Sequence, residues 1–469
     1  MTASALVLPA HGASADDNPL YRTVARKARA LADEGAVLSI LIPHGSEANI
    51  RPVIEKFGAL SGVEVTSRNV LVDEINTQLM LDGLSGEADY DLALPATFGI
   101  PDLADAGVIQ PLTAYAAKHE PPGFRDNVLY SIGDTFDDEI YGFQADGDTY
   151  VMFYNDLWMS DPSEQKAYGD AHGTALDIPR SWEELDRQMA FFHRPEEDRF
   201  GGALFRTPAY LAWEWWVRFH AKGVWPLSED LEPQIACDEG VAALEDMIRA
   251  TEFLYPQAQS AGLFENWEHY AKGNTYANIG WGGSQKYLNG PESKLAGNMR
   301  FGMTPCAGPS SGMGGMPYFN WGWNYVVSAA SRQPELAYLF ALFASTSEIS
   351  TLSVQQPEGY FDPFRPEHYA EPVIQSTYSP EFLEVHGQSL RNSIPDLYLA
   401  QQGEYFRVLI EALDSAVNKG TPPEKALAWV ETQWSVLNLR TGRQAQTQRW
   451  QALRAKYPAD TRRTLRDLS

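Results

Sequence analysis

The sequence predicts an α/β protein with two lobes, and three observations support this fold class. Predicted strands alternate with predicted helices in the first part of the chain, which is typical of a mostly parallel sheet covered by helices. The chain has 469 residues, too many for one compact core but suited to two. Finally, the stretch 141–158 puts an apolar strand directly after an acidic loop, as expected for a segment that crosses between lobes beneath a wet cleft.

The elements of the first part follow from hydrophobic spacing. In order, they are a helix over 18–34, a strand over 37–42, a helix over 49–61, a strand from 63, a helix over 72–84, a strand over 89–94 and a short helix over 100–106. Two loops leave the carboxyl ends of predicted strands, so we expect them to share one rim of a ligand crevice. Their candidate ligand contacts are Ser46, Glu47, Thr97 and Phe98.

The crossing stretch reads YGFQADGDTYVMFYNDLW. Tyr150 to Tyr154 is rich in aromatic and β-branched residues and predicts a buried strand. Asp146 and Asp148 precede it, either as carboxylate acceptors in the cleft or as a solvated turn. Beyond the crossing, Ser181 and Glu184 have the spacing of a capping box at the start of a helix.

Charge and composition exclude several kinds of partner. The chain has 36 basic and 62 acidic residues, a net charge of −26, which disfavours nucleic acid and anionic membrane surfaces. No apolar run approaches the roughly 18 residues of a spanning helix. Residues 1–15 resemble the remnant of an export signal that ends in Ala-Ser-Ala, with a disordered tail as the alternative.

Catalytic and metal-binding patterns are weak. Residues 308–312 spell G-x-S-x-G but lack the strand and helix of a nucleophile elbow. Residues 146–148 are too short for a calcium loop, although a structural calcium elsewhere stays open. Cys237 and Cys306 make no metal cage and are either one disulfide or two separate thiols. We therefore expect no enzyme activity, no cofactor and no metal.

Aromatic residues point to a different kind of site. Among 13 tryptophans, Trp281, Trp321 and Trp323 lie beside glycines at predicted strand ends. A flat aromatic face next to glycine suits stacking on the apolar face of a sugar ring, although core packing is the alternative for each ring. Sugar hydroxyls also need polar partners, which Asp146, Asp148, Glu47, Asn324 and Arg365 can supply.

Several motifs resemble family 1 extracellular solute-binding proteins, the ligand receptors of ABC importers. The crossing stretch is similar to the family's "Y-G-hydrophobic-P … YYN-K-D-L", with Gln144 for proline and Asp156 for lysine. Residues 103–112 resemble "L-A-x-A-G-hydrophobic-I-x-P-L", and 318–328 resemble "G-G-W-x-hydrophobic-x-I". Residues 357–365 resemble "G-x-x-P-x-R". Similar motifs occur in the family's order over residues 36 to 438.

The resemblance implies a class II-like periplasmic-binding-protein fold whose cleft lies between lobes joined by hinge strands. Segments 36–148 and 300–352 would form lobe 1, and 149–299 and 353–469 lobe 2, after an N-terminal 1–35 that holds the signal remnant and a helix. Crossings are expected near Asp148, Arg300 and Gln356. The expected ligand-binding residues are Ser46, Glu47, Thr97, Phe98, Asp146, Asp148, Trp281, Gly282, Trp321, Trp323, Asn324, Asp362 and Arg365.

The implied function is capture of a neutral carbohydrate or polyol in the periplasm by a monomer that delivers it to an ABC permease. A hydrolase that uses two carboxylates, such as Asp146 and Glu47, is the alternative from the enzyme class. A surface interaction protein without a small ligand is a third possibility. Turnover separates the first two, and ligand-dependent closure separates both from the third.

Overall fold

The computed structural model describes residues 19–306 and 314–468. It contains eleven strands: β1 Val37–Pro43, β2 Glu64–Val70, β3 Leu92–Ala93, β4 Thr135–Phe136, β5 Glu139–Ile140, β6 Gly142–Gln144, β7 Val151–Asn155, β8 Phe200–Ala203, β9 Thr275–Gly280, β10 Met299–Met303 and β11 Asn324–Val327. The predicted signal remnant lies outside the described residues, as does most of the glycine-rich segment that spells G-x-S-x-G.

Helices cover both sheets and build the C-terminal part of the chain. In order, they are α1 Leu20–Leu31, α2 Glu47–Ser61, α3 Ile75–Ser85, α4 Ile100–Asp105, α5 Thr113–His119, α6 Asp156–Met159, α7 Pro162–His172, α8 Trp182–Phe192, α9 Pro208–Ala221, α10 Asp238–Thr251, α11 Leu263–Tyr270, α12 Gly282–Leu288, α13 Pro334–Ala344, α14 Ser347–Val354, α15 Pro366–Ala370, α16 Pro372–Thr377, α17 Pro380–Arg391, α18 Gln402–Val417, α19 Pro423–Arg440, α20 Arg443–Lys456 and α21 Ala459–Thr464.

The first sheet has five strands in the order β2-β1-β3-β11-β6. β2, β1 and β3 are parallel, as the alternation of strands and helices predicts, whereas β11 is antiparallel to both β3 and β6. Helices α1, α2, α13 and α14 pack together beside this sheet. The strand β11 therefore returns from late in the sequence to the interior of a sheet that the first 144 residues otherwise build.

The second sheet has four strands in the order β10-β7-β9-β8. All residues of β7 and β9 are buried, including the polar Asn155, Thr275 and Asn278. α8 packs on β8, and α17 packs on β10 and β7. Residue 300, where the second segment of lobe 1 is predicted to begin, falls inside β10, which pairs with β7 over all five residues.

Local sequence signals account for element ends. Ser181 Oγ accepts a hydrogen bond from the Glu184 backbone N–H at 3.1 Å, and the Glu184 carboxylate accepts from the Ser181 N–H, which confirms the capping box of α8.

The Cys306 thiol donates to the Arg180 carbonyl oxygen at 3.2 Å, and no disulfide joins it to Cys237. Within the described chain, no single helix is long and apolar enough to cross a membrane; α13 and α14 meet the criteria only as a pair bent by 71°.

Candidate functional site

Two adjoining cavities lie between the two sheets. The inner cavity has a volume of about 30 Å³ and is lined by Asp148, Trp267, Trp281, Trp321, Trp323 and Tyr360, among others. The outer cavity has a volume of about 330 Å³ and is lined by Phe98, Tyr210, Trp213, Trp321, Gln402 and Arg407, among others. Val72 and Trp321 line both cavities, so the two adjoin at these residues, and we call them together the cleft.

Strand ends position the rings of the inner cavity. Trp281 follows β9 of the second sheet, and Trp321 and Trp323 precede β11 of the first sheet. Gly322 separates the latter two in a left-handed conformation with φ +65°, and a Cβ there would lie 2.3 Å from the Phe319 ring. A glycine is therefore needed for both tryptophans to reach the cleft.

The rings form a continuous series around the cleft. Trp281 and Trp321 meet at right angles with centroids 5.8 Å apart, and Trp321 and Trp323 lie 5.9 Å apart. Tyr360 continues the series at 6.1 Å from Trp323, and Trp213 contacts Trp321 at 5.1 Å. The first contact is edge-to-face and the other three are tilted, and together they hold the rings at fixed angles to one another.

Indole N–H groups provide hydrogen-bond donors at the same place. Trp281 Nε1 donates to Asn320 Oδ1 at 3.0 Å and is satisfied. Nε1 of Trp267, Trp321 and Trp323 is buried, and each has no acceptor among residues 19–306 and 314–468. Because a buried donor without an acceptor is costly, these groups favour a ligand that brings oxygen acceptors.

Three aspartates form a buried cluster beside the inner cavity, which we call the Asp triad: Asp146, Asp148 and Asp362. One oxygen from each lies within 4.8 Å of the others. Asp146 and Asp148 lie on the segment from β6 to β7, and Asp362 lies on the segment from α14 to α15. The triad therefore joins the segment that runs from the first sheet to the second with the segment between α14 and α15.

Backbone and side-chain donors hold the triad. The Gly322 N–H donates to Asp148 Oδ2 at 3.2 Å, and the Asp362 N–H donates to Asp146 Oδ1 at 2.6 Å. The Tyr378 hydroxyl donates to Asp362 Oδ1 at 3.0 Å. Asp146 Oδ2 is buried without a donor in the described part of the chain. These donors already occupy much of the coordination that a metal ion would need.

Lys286 supplies a positive charge near the triad, but its ammonium donates to backbone carbonyls of Val354, Gln356 and Phe361 at 2.9–3.1 Å. Burial lowers its pKa to about 8, opposed by the charges of Asp362 and Asp146. Burial raises the pKa of Asp362 to about 6 and holds the pKa values of Asp146 and Asp148 well above their usual range. At neutral pH the triad therefore shares protons rather than carrying three charges.

The other predicted site residues divide between the cleft and internal contacts. Phe98 lines the outer cavity. The Gly282 N–H donates to Asp362 Oδ2 at 2.7 Å, which places it behind the inner cavity. Ser46 donates to the Pro43 carbonyl oxygen at 2.7 Å, and the Glu47 carboxylate accepts from the Gly45 N–H at 2.6 Å. The loop from β1 to α2 is thus held mainly by its own contacts.

Three further predicted contacts are used within the protein. Thr97 Oγ1 donates to Asn324 Oδ1 at 2.6 Å, and Asn324 Nδ2 donates to Asp134 Oδ1 at 2.6 Å. Arg365 donates to the Ser345 carbonyl oxygen at 2.7 Å and is 3% exposed. None of these three is among the described residues that line the two cavities.

The sequence prediction missed several cleft residues. Tyr360 directly precedes Phe361 and Asp362 in a predicted crossing, so its position is a usable signal. Trp213 lies on α9, whose aromatic-rich sequence predicts core packing. Its side chain is 7% exposed, yet it lines the outer cavity. Lys286, which lies near the triad rather than in either cavity, is far in sequence from Asp146 and carries no local signal of its proximity.

Comparisons with known proteins agree with this architecture. Residues 53–379 match the family described as bacterial extracellular solute-binding protein. Compared by sequence, no curated protein matches the chain.

Several solved structures share the fold. An ABC transporter solute-binding protein from Agrobacterium radiobacter K84, in complex with ribitol, has 17% identity and a TM-score of 0.72, and the alignment covers 86% of this chain and 99% of that one. A solute-binding protein from Agrobacterium vitis S4 with bound D-mannitol has 17% identity, a TM-score of 0.69 and coverages of 87% and 99%. Maltose-bound MalE3 from T. maritima has 18% identity, a TM-score of 0.72 and coverages of 86% and 100%.

These similarities confirm the predicted two-lobed α/β fold, with the cleft between the sheets. The matched family and the similar structures are binding proteins of transport systems. The family match covers residues 53–379, which is most of this chain, and the chain therefore belongs to the bacterial extracellular solute-binding proteins.

Proposed function

We propose that this protein is the periplasmic receptor of an ABC importer and that it captures a carbohydrate or polyol in the aromatic cleft. The observation that carries the proposal is the inner cavity, where aromatic faces and unsatisfied indole N–H groups meet. The apolar C–H faces of a sugar or polyol would lie on the rings, and its hydroxyl oxygens would accept from the indoles. The ligands named for the similar structures, ribitol, D-mannitol and maltose, belong to this class.

The positions of the carboxylates favour a receptor role over catalytic turnover. A glycoside hydrolase needs two carboxyl groups on either side of the scissile bond. Of the proposed catalytic pair, Asp146 is 0% exposed within the triad, and Glu47 is bound to the loop from β1 to α2. Neither is among the described residues that line the cavities.

A receptor is further expected to act as a monomer and to deliver its ligand to a membrane permease.

Charge sets the expected selectivity against phosphates. Among the described residues that line the inner cavity, none is Lys, Arg or His, and Asp148 is the only acidic residue. Arg407 lines the outer cavity but is engaged by Glu404 and Glu411 on its own helix. A phosphate group would therefore meet no available cation at either place.

A thermal-shift screen over sugars, polyols and their phosphate esters tests the proposal. A ligand at 100 times its dissociation constant adds about 2.7 kcal/mol to the free energy of unfolding, which raises the melting temperature measurably. We expect D-mannitol, ribitol or maltose-like ligands to stabilise the protein, and mannitol 1-phosphate not to. Recovery of the ligand unchanged after long incubation supports a receptor, whereas release of monosaccharide from an oligosaccharide would support the hydrolase. Stabilisation by phosphate esters alone would contradict the proposal.

A further inference from the structure

We propose that, within the carbohydrate or polyol class of the proposed function on which this inference rests, the ligand is amphiphilic: a sugar or polyol that carries an apolar substituent, such as an aryl or alkyl aglycone. The oxygen-rich end of the ligand would lie at the inner end of the cleft, and the apolar substituent would fill the outer cavity. The unequal distribution of hydrogen-bond partners along the cleft supports this assignment.

The wall of the outer cavity is largely apolar. Of the 17 described residues that line it, five are aromatic and five are aliphatic, so apolar side chains form the majority. Ile75 on α3, Tyr210 and Trp213 on α9, and Phe406 on α18 are at most 7% exposed. Ile410 is half-buried one turn further along α18. Aliphatic side chains beside the rings favour the burial of apolar ligand atoms.

The amide side chains of this wall are already used within the protein. Asn76 Oδ1 accepts from the Ala96 N–H at 2.9 Å, and Asn76 Nδ2 donates to the Ala96 carbonyl oxygen at 3.4 Å. Gln402 Nε2 donates to Asp396 Oδ1 at 3.2 Å. These amides are therefore largely unavailable to the hydroxyl groups of a ligand.

The charged residues of the outer cavity stand at its mouth. The side chains of Arg407 and Glu411 are 50% and 53% exposed and form an ion pair with each other on α18. Asp73 and Thr77 are exposed on the opposite side. The polar groups therefore surround the entrance, and the apolar side chains lie deeper.

A sugar ring would be poorly accommodated in such a cavity. Each of its hydroxyl groups gives up hydrogen bonds to water on burial, and a hydroxyl without a new partner makes burial unfavourable. An apolar substituent loses no hydrogen bonds and gains free energy from the surface that it buries. The outer cavity therefore suits the substituent better than the sugar.

The inner end of the cleft has the opposite requirement. The buried Nε1 groups of Trp267, Trp321 and Trp323 have no acceptor in the described part of the chain, and all three residues line the inner cavity. These donors need oxygen acceptors, which a sugar or polyol supplies and a hydrocarbon does not. Trp321 also lines the outer cavity, so it marks the boundary between the two ends of the ligand.

Matched glycosides test the inference by titration calorimetry. The pairs are the methyl and phenyl β-D-glucopyranosides, α-D-glucopyranosides and α-D-mannopyranosides, and D-mannitol, ribitol and maltose are measured beside them. We expect the phenyl member of at least one pair to bind about tenfold more tightly than its methyl partner or better, because the ring buries several more carbon atoms. The heat-capacity change of binding should also be more negative for the phenyl member, as apolar burial requires.

A matched pair of variants locates the substituent. Ile410→Gln makes one part of the outer wall polar and keeps a good helix former on α18. It should reduce the ratio of phenyl to methyl affinity to about threefold or less and leave the affinity for the methyl glycoside near that of the wild type. Ile248→Gln on α10 makes the same change at a half-buried position that lines neither cavity, and it should leave the ratio unchanged.

The outcomes separate this inference from the proposed function. If simple sugars or polyols bind and no phenyl glycoside binds more tightly than its methyl partner, the inference is wrong and the proposed function stands. A ratio that Ile410→Gln leaves unchanged would place the phenyl ring outside the outer cavity and would also overturn the inference. If that variant fails to fold, equal heat-capacity changes for the two members in the wild type would overturn it instead. If no sugar, polyol or glycoside of the set binds, the proposed function fails and the inference fails with it.

Discussion

Asp362 and Gly282 are in direct contact across two elements of the cleft wall: the Gly282 N–H donates to Asp362 Oδ2 at 2.7 Å. A Cβ at residue 282 would lie 2.3 Å from Asp362 Oδ1 and 2.5 Å from its Cγ, so only glycine permits this approach. The contact links the first turn of α12 to the segment between α14 and α15, and thereby fixes one member of the Asp triad.

We therefore predict that Gly282→Ala displaces Asp362 and weakens ligand binding. Overpacking of a buried site typically costs about 1–3 kcal/mol, so the melting temperature should fall as well. The control is Gly169→Ala on α7, where a Cβ meets nothing closer than 3.9 Å and alanine is the better helix former. Equal melting temperatures and ligand affinities for Gly282→Ala and the wild type would contradict the predicted collision.

A second prediction separates the indole N–H of Trp321 from its ring. Trp321→Phe keeps an aromatic face in the cleft but removes a donor that has no acceptor in the described chain. Ligand affinity should fall by about 0.5–1.5 kcal/mol if that donor bonds a ligand oxygen. Trp215 on α9 is the matched control, since it is also buried, its Nε1 is also without an acceptor among the described residues, and it lines neither cavity.

Calorimetric affinities of the two variants provide the readout. Trp215→Phe should bind ligand as the wild type does, although both variants lose some stability from the smaller ring. Equal affinity losses would assign the effect to general packing rather than to a ligand contact.

The third prediction concerns stability between about pH 6.5 and 8. Burial raises the pKa values of Asp396 and Asp134 to about 7, above their values in the unfolded chain. The folded state therefore holds protons that the unfolded state has lost, and stability falls as the pH rises through this window. The buried His220, His269, His368 and His386, whose pKa values burial lowers to about 4 or 3, oppose the trend at the lower end of the window, because they still bind protons in the unfolded chain near pH 6.5. Lys286, with a pKa of about 8, opposes it at the upper end.

Melting temperatures at constant ionic strength measure this slope. In the wild type the Leu397 N–H donates to Asp396 Oδ1 at 2.6 Å. Asp396→Asn removes one of the two titrating groups and keeps a side-chain oxygen that can accept this hydrogen bond. We expect a shallower decline for that variant than for the wild type. Equal pH slopes for Asp396→Asn and the wild type would show that the Asp396 carboxyl is ionised in the fold over this range.

The fourth prediction concerns the contact between α4 and α18. Asp102 Oδ2 accepts from the Gly403 N–H at 2.9 Å, at the N-terminus of α18, whose other side packs on α9 and α10. The contact combines a hydrogen bond with the favourable end of the helix dipole. Asp102→Ala should weaken the contact between α4 and α18 and increase the radius of gyration in small-angle scattering. Ligand should reduce the radius in the wild type.

Asp161→Ala is the control for this variant. Asp161 Oδ1 accepts from the Ser163 and Glu164 N–H groups at 2.8 and 3.0 Å, so it caps α7 within one element. Its loss should lower stability without a change in overall dimensions. Identical scattering curves for Asp102→Ala and the wild type would mean that the contact does not hold the two parts together.

The regular elements were largely predictable because their signals are local. β1 and β7 lie within one residue of the predicted strands, since continuous apolar runs define them. The third strand was predicted over 89–94 but is paired only at Leu92–Ala93. Backbone bonds from the Asp91 and Leu94 N–H groups to the Ser39 and Leu41 carbonyl oxygens nevertheless extend its contact with β1.

The candidate site was less predictable because its contacts join distant segments. Trp281, Trp321 and Trp323 could be chosen from their glycine neighbours, and they do line one cavity. Asn324 and Arg365 were equally plausible by chemistry, yet Asp134 and Ser345 accept their hydrogen bonds. A polar residue type does not show whether its partner will be a ligand or another part of the chain.

The position of β11 has a consequence for how this chain is made. β11 pairs with β3 and β6 inside the first sheet, yet every strand of the second sheet precedes it in the sequence. As the chain emerges from the ribosome, β3 and β6 each have an unsatisfied edge until the residues of β11 have been synthesised. Pairings between residues so far apart in sequence form slowly. The first sheet therefore cannot be completed until every strand of the second has been synthesised, and β3 and β6 keep exposed edges until then.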